Sequence, residues 1–231
     1  MASRYLITGA SRGIGRAIAE GLAKEGMYLI LHGRDKAALE DVGRAVRDAG
    51  AEAETVLADL SERAGVEKIV EAAGNDPLQA LVNNAGIALL NPVADITLEE
   101  WEKTLAINVT APFLLIQRLL PLLKRGSSVV NILSIAARSG FPGWGSYCMS
   151  KFAMEGLSQS LREELRPAGI RVINVYPSAT RTDLWKTMPG DWPEDKMMDP
   201  REVADAVVFA LERPAKTLVD SISVGNMAGK L

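Results

Sequence analysis

A chain of 231 residues with 48% hydrophobic and 24% charged side chains has the make-up of a folded globular enzyme with a substantial core. Its net charge of −3, with both signs interspersed, argues against a general nucleic-acid binder. A single cysteine excludes an intrachain disulfide, and no apolar run approaches the roughly 18 residues of a membrane span, so a cytoplasmic protein without a membrane partner is expected.

Short apolar runs alternate with helical patterns. A strand is predicted over 4–8, then a helix over 14–25 with Ile14, Ala17, Ile18, Gly21 and Leu22 on one face. A strand over 28–32, a helix over 36–49, a strand over 52–57, a helix over 62–73 and a strand over 78–83 follow. One long helix is predicted over 98–124, opened by Thr97 and Glu100 at capping-box spacing. Then come a strand over 127–134, a helix over 147–166 and a strand over 171–176. Asp199 reads as an N-cap with Pro200 at the first position of a helix reaching 212, and a last strand is placed at 221–225. This alternation predicts a single domain over 1–231, a doubly wound α/β Rossmann fold with seven parallel strands flanked by helices. The one long irregular stretch, 182–199, is expected to be a substrate loop.

Between the first strand and first helix stands Thr8-Gly9-Ala10-Ser11-Arg12-Gly13-Ile14-Gly15. Glycines there permit tight turning and close backbone approach, and the helix N-terminus offers unpaired N–H groups and partial positive charge, which suits a pyrophosphate. Further along, Tyr147 and Lys151 are four apart on a predicted helix, so both side chains leave the same face. A phenol with a pKa of about 10 is a poor proton shuttle at neutral pH, and a neighbouring ammonium is expected to lower it. Tyr-x-x-x-Lys alone is weak, arising by chance about once in six chains of this composition. Its weight comes from its place in an ordered set.

The spacing Gly-x-x-x-Gly-x-Gly resembles the short-chain dehydrogenase/reductase family, and the resemblance runs through nearly the whole chain. Asn83-Asn84-Ala85-Gly86 matches the family's Asn-Asn-Ala-Gly signature, and Asp59-Leu60 resembles its adenine contact. Asn108, Ser134, Tyr147 and Lys151 fall at the spacing of the family's catalytic set. Pro177, Thr180 and Thr182 match the segment that meets the nicotinamide. The resemblance implies a dinucleotide held by Gly9, Ser11, Arg12, Gly13, Ile14, Gly15, Arg34, Asp59, Leu60, Asn84, Ala85 and Gly86, together with Tyr147, Lys151, Pro177, Thr180 and Thr182. It also implies that Ser134 bonds the substrate oxygen, that Lys151 binds the nicotinamide ribose, and that Asn108 organises a water leading from Lys151 to solvent. A homotetramer or homodimer built on the long helix and the Tyr147 helix is implied as well.

The family's NAD-selecting acid would fall at Gly33, where no carboxylate stands; Arg34 and Arg12 are cations placed for a 2′-phosphate, so NADP(H) is expected. Asp35 is the alternative, as a displaced ribose ligand. His32, the only histidine, is expected to pack near the adenine by stacking, and Cys148 to be a buried small hydrophobe. Phe141, Trp144 and Trp185 flank the site, either as an apolar pocket or as loop packing.

The leading expectation is an NADPH-dependent reductase of a ketone or aldehyde. A 3-oxoacyl-thioester reductase of fatty-acid synthesis is similar in pattern, but the stretch before Tyr147 and the C-terminal end depart from it. Segment 199–224 is more similar to reductases of small hydroxy acids, sugars or pterin-like carbonyls. Ser178 stands where the family usually has glycine. A non-catalytic NADP(H)-sensing protein is the reading from another class; it should have lost Ser134, Tyr147 or Lys151, and all three are present.

Overall fold

Strands built from continuous apolar runs need cover on both faces, and successive side chains point opposite ways. The computed structural model, which describes residues 2–188 and 190–227, meets that need with two layers of helices. Leu6, Ile30, Leu81 and Val129 enter one layer, packed on Val66, Ile69, Leu115 and Leu119. Their neighbours Ile7, Leu31, Val82 and Val130 enter the other, packed on Ile18, Leu39 and Val203.

The strands are β1 (Ser3–Ile7), β2 (Met27–Gly33), β3 (Glu52–Leu57), β4 (Leu78–Asn83), β5 (Leu123–Ile132), β6 (Arg171–Pro177) and β7 (Ser221–Val224). They form the predicted single sheet of seven parallel strands, and the structure sets their order as β3-β2-β1-β4-β5-β6-β7. The helices are α1 (Gly13–Leu22), α2 (Lys36–Asp48), α3 (Arg63–Ala73), α4 (Leu98–Leu105), α5 (Ala111–Leu119), α6 (Gly145–Leu165) and α7 (Pro200–Leu211). The order reverses between β1 and β4. Loops leaving the carboxyl ends there diverge and open a crevice, which is where ligands bind in such sheets.

The single long helix expected over 98–124 is broken. After α4 the backbone widens to a π-helical segment, Ala106–Thr110, before α5 resumes. Pro112 has no N–H to return to the carbonyl of Asn108, four residues back, so the α-helical ladder fails there. Pro121 then sits in a short 3₁₀ turn, and β5 starts at Leu123, four residues before the predicted start. The helical run from 98 to 122 has the length and apolarity to cross a membrane. In this fold its residues Ile107, Leu115, Ile116 and Leu119 are buried in the protein, while Trp101 and Phe113 are exposed. Both expected caps are present: Thr97 with Glu100 on α4, and Asp199 with Glu202 on α7.

Stretch 182–199 holds two short 3₁₀ turns, Trp185–Thr187 and Glu194–Lys196. Its ends are clasped by a bridge between Thr180 and Met198, with Arg181 N–H donating to the Met198 carbonyl at 2.8 Å. Pro189 lies outside the described residues.

Candidate active site

The turn after β1 is built by interlocking backbone. Gly9 (φ +66°) and Gly13 (φ +56°) occupy the left-handed region that glycine tolerates. Asn84, at the end of β4, reaches across and donates to the carbonyls of Thr8 (2.9 Å) and Gly9 (3.0 Å). The Thr8 hydroxyl accepts from the N–H groups of Asn84 and Ala85, both at 3.0 Å. His32 lines the larger cavity and is pinned at both ring nitrogens: its Nδ1 accepts from Gly9 N–H at 3.3 Å and its Nε2 faces the Ala58 carbonyl at 3.1 Å. Those partners define a neutral ring with the proton on Nε2, and burial pushes its pKa down.

Gly15 is held against the turn itself. It lies beneath the turn, where an added Cβ would stand 2.3 Å from the Gly9 carbonyl oxygen and 2.4 Å from Asn84 Nδ2. Gly15→Ala is therefore expected to destabilise by about 2 kcal/mol or more. At about 2–4 °C per kcal/mol for a chain of this size, the melting temperature should fall by roughly 5 °C. A thermal melt superimposable on the parent's would contradict this packing.

Two adjoining cavities open at the switch point. The larger, about 560 Å³, runs from Arg34 and Asp59 past Ser11, Arg12, Gly13 and Ile14 to Lys151. Leu60, Asn84, Ala85 and Gly86 complete its floor. The first turn of α1 faces it without a side-chain cap, since Arg12 at the N-cap position makes no capping bond. The smaller, about 90 Å³, is lined by Ser134, Phe141, Trp144, Trp185 and Met188 together with Pro177, Ser178, Thr180 and Thr182. Tyr147 lines both. Of the expected site residues only Gly15 and Asn108 line neither.

The chemistry converges on α6. It begins at Gly145, two residues before the predicted start, so Tyr147 and Lys151 sit in its first two turns. Lys151 Nζ donates to the Ile132 carbonyl at 2.9 Å and lies 5.6 Å from the Tyr147 ring centroid. The Tyr147 hydroxyl is hydrogen-bonded to Ser134, just past β5, whose Oγ also accepts from Ala136 N–H at 3.1 Å. Asn108 acts behind them. Its Oδ1 accepts from Ile87 N–H (2.9 Å), and its Nδ2 donates to the Ile87 carbonyl (2.8 Å) and to Ser150 Oγ (3.0 Å). Ser150 in turn donates to the Tyr147 carbonyl at 2.7 Å. Sequence reasoning missed Ser150, although it stands one helical turn after Tyr147.

The expected lowering of the tyrosine's pKa by the lysine does not hold in this structure. Burial dominates both groups. It pushes Tyr147 up to about 12, against the opposing hydrogen bond from Ser134. The same burial pushes Lys151 down to about 8. Both charged forms lose water here, and the ammonium is turned to a backbone carbonyl, so desolvation outweighs mutual attraction. The pair therefore rests as a protonated phenol beside an amine poised near neutral pH, the state of a proton donor.

Asp35, the alternative ribose ligand, is engaged as the N-cap of α2, accepting from Ala38 N–H at 3.1 Å. Arg34 is exposed, lines the cavity and has no ion-pair partner among the described residues. Arg12 reaches Asp183 of the long loop at 3.7 Å. Among the described residues no group of His, Cys, Asp and Glu could hold a metal. No described non-glycine residue has a positive φ, so Ser178 stands at a position that does not demand glycine.

Residues 4–191 match the model of the short chain dehydrogenase family. Sepiapterin reductase of Chlorobaculum tepidum is 35% identical over 239 aligned positions, covering 98% of this chain and 97% of the relative. Among solved structures, an alcohol dehydrogenase from Thermococcus sibiricus complexed with 5-hydroxy-NADP superimposes with a TM-score of 0.90 at 26% identity, covering 100% of this chain and 99% of that one. The angucycline C-6 ketoreductase LanV with bound NADP gives 0.86 at 29% identity, over 96% and 94% of the two chains. With the glycine turn, the Asn84 clamp and the Ser134, Tyr147 and Lys151 cluster in place, this chain belongs to the short chain dehydrogenase family of oxidoreductases.

Proposed function

We propose that this protein is an NADPH-dependent reductase of a ketone or aldehyde, with Tyr147 as the proton donor. One observation carries the reading: Tyr147 is shared by both cavities, with Ser134 bonded to its hydroxyl at the smaller and Lys151 facing the larger. A group that must serve a cofactor on one side and a substrate on the other has to stand at such a junction.

The larger cavity fits a dinucleotide. It has the volume, an uncapped helix N-terminus for the pyrophosphate and a free guanidinium at Arg34 for a 2′-phosphate. When bound, the dinucleotide supplies the hydride to the carbonyl carbon. Ser134 and Tyr147 hold the carbonyl oxygen, and Tyr147 gives it the proton, so that two electrons and two hydrogens convert C=O to CH–OH. The phenolate regains its proton from Lys151, and Asn108 and Ser150 hold the helix turn that carries both. Pro177, Thr180 and Thr182 bound the space where the two ligands meet.

A spectrophotometric panel of ketones and aldehydes tests the assignment through NADPH oxidation. Acetoacetyl-thioester as the best substrate would favour the fatty-acid-synthesis alternative. NADPH binding without turnover of any carbonyl would favour the sensing alternative. Arg34→Asp is expected to lower catalytic efficiency with NADPH about ten-fold or more and to raise it with NADH, because a carboxylate there repels the 2′-phosphate and accepts from a ribose hydroxyl. Equal efficiency with both cofactors before mutation would overturn the NADP assignment. An acid at Gly33 is a poorer switch, since its Cβ would lie 3.1 Å from Ser11 Cβ.

We also place the protein in the cytoplasm, as one domain assembling into a homotetramer or homodimer. The exposed Trp101 and Phe113 on the broken helix and Phe152 on α6 support that assembly, which light scattering checks.

A further inference from the structure

The smaller cavity has an uneven wall. Phe141, Trp144 and Trp185 line it, and Trp192 packs in the same cluster behind them. Phe141 and Trp144 lie 5.4 Å apart between ring centroids, and Trp144 stands edge-on to Tyr147 at 5.8 Å. Trp185 meets Trp144 at 6.1 Å, and Trp192 backs them both, 4.8 Å from Trp185. The rings thus run without a break from the proton-donating phenol into the long loop.

Among the described residues, no Asp, Glu, Lys, Arg or His lines the cavity. Its side-chain polar groups are hydroxyls and the indole N–H groups of Trp144 and Trp185, and three are already committed: Ser134 bonds Tyr147, Thr180 donates to the Ser178 carbonyl at 2.9 Å, and Trp185 Nε1 donates to the Thr180 carbonyl at 2.8 Å. None of the loop's described charged side chains lines the cavity. Asp183 is held by Lys186 at 2.7 Å and by Arg12, and Arg181 by Asp199 at 3.1 Å. A carboxylate or phosphate on the substrate would be desolvated in this cavity without a cation to meet it. A flat π system would find offset and edge-on partners.

We propose that the substrate is an uncharged carbonyl compound whose reacting C=O is attached to a planar aromatic ring system, the ring seated against Trp144 and Trp185. The proposal rests on the reductase reading above and adds the substrate class to it. Trp144 and Trp185 are the residues that set specificity, and hydroxy-acid or sugar-phosphate precursors are excluded by charge.

Three probes separate the terms. 1-Phenyl-1,2-propanedione and 2,3-butanedione carry the same dicarbonyl with and without a ring, and pyruvate adds a carboxylate. kcat/KM for the phenyl compound should exceed that for butanedione at least about ten-fold, since one added apolar group in a fitted pocket already discriminates by that much. Pyruvate should be slower still. Independently of turnover, the phenyl compound should quench intrinsic tryptophan fluorescence saturably, and butanedione should not at the same concentration. Trp144→Leu and Trp185→Leu should bring the phenyl-to-butanedione ratio near one through KM, with NADPH affinity as the check on folding. Equal efficiency for the two diones, a preference for pyruvate, or a ratio untouched by both variants would overturn the proposal. Saturable quenching with no carbonyl reduced would sink the reductase reading and keep the aromatic site. Reduction of all diones alike without quenching would do the opposite.

Discussion

Replacing Tyr147 with phenylalanine is expected to lower kcat/KM for carbonyl reduction by about 10²–10⁴-fold, the usual contribution of a placed proton donor. The ring would keep its edge-on contact with Trp144, so the loss isolates the hydroxyl. What disappears from the fold is one buried hydrogen bond to Ser134, worth about 1 kcal/mol, so the thermal midpoint should move by only a few degrees. The pH profile of the unaltered enzyme carries further information. With Tyr147 raised to about 12, its proton stays on throughout the neutral range, and no rise in rate from phenol ionisation should appear there. Lys151, lowered to about 8, loses its charge above that pH, so reduction should be level below pH 8 and decline above it. A phenylalanine variant retaining a tenth or more of parental efficiency would remove Tyr147 from the chemistry.

Lys151→Met should couple a large loss of activity to a gain in stability. Lys151 is buried, and its pKa falls from 10.5 in the unfolded chain to about 8 in the fold. Between those values the unfolded chain binds more protons than the folded one, so stability rises as pH increases from 8 to 10.5. Below pH 8 the folded protein carries the whole cost of a desolvated ammonium, on the order of 3 kcal/mol at 1.36 kcal/mol per pKa unit. Methionine fills similar space without that cost and forgoes the bond to the Ile132 carbonyl, worth about 1 kcal/mol. At pH 7 the cofactor-free variant should therefore melt several degrees higher than the parent, and the difference should shrink by pH 10. Activity should fall by about 10² or more. A variant that melts lower at pH 7 would show that the lysine stabilises the fold it was thought to strain. The expected trade is familiar from sites where function and stability pull apart.

The doubly wound sheet was legible from the chain because its cause is local. Apolar runs such as Tyr28-Leu29-Ile30-Leu31 can be buried only on both faces, and the strand–helix alternation leaves few other ways to do it. The glycine turn and the Tyr147–Lys151 pair were legible for the same reason: backbone freedom and i,i+4 spacing are properties of neighbours in sequence. Boundaries were less so. Pro112 breaks the long helix at the carbonyl of Asn108, a sign present in the sequence whose consequence becomes visible only once the helix is packed.

Other features depended on residues distant in sequence. His32 became a pin only when Gly9 and Ala58, 23 and 26 positions away, were brought to its two nitrogens. Asn84 became a clamp because β1 and β4 are neighbours. Asp35 took on a second role, as a cap three residues on, while still lining the larger cavity. Most of all, the acidity of Tyr147 could not be read from spacing. A cation four residues away predicts a lowered phenol, but desolvation depends on everything packed around the pair, and here it prevails. The sequence by itself determined which groups could do chemistry and that they would gather at the carboxyl ends of the strands. Only the tertiary structure decided their protonation, their partners and the aromatic enclosure beside them, because burial is set by the whole surroundings of a residue and not by its neighbours along the chain.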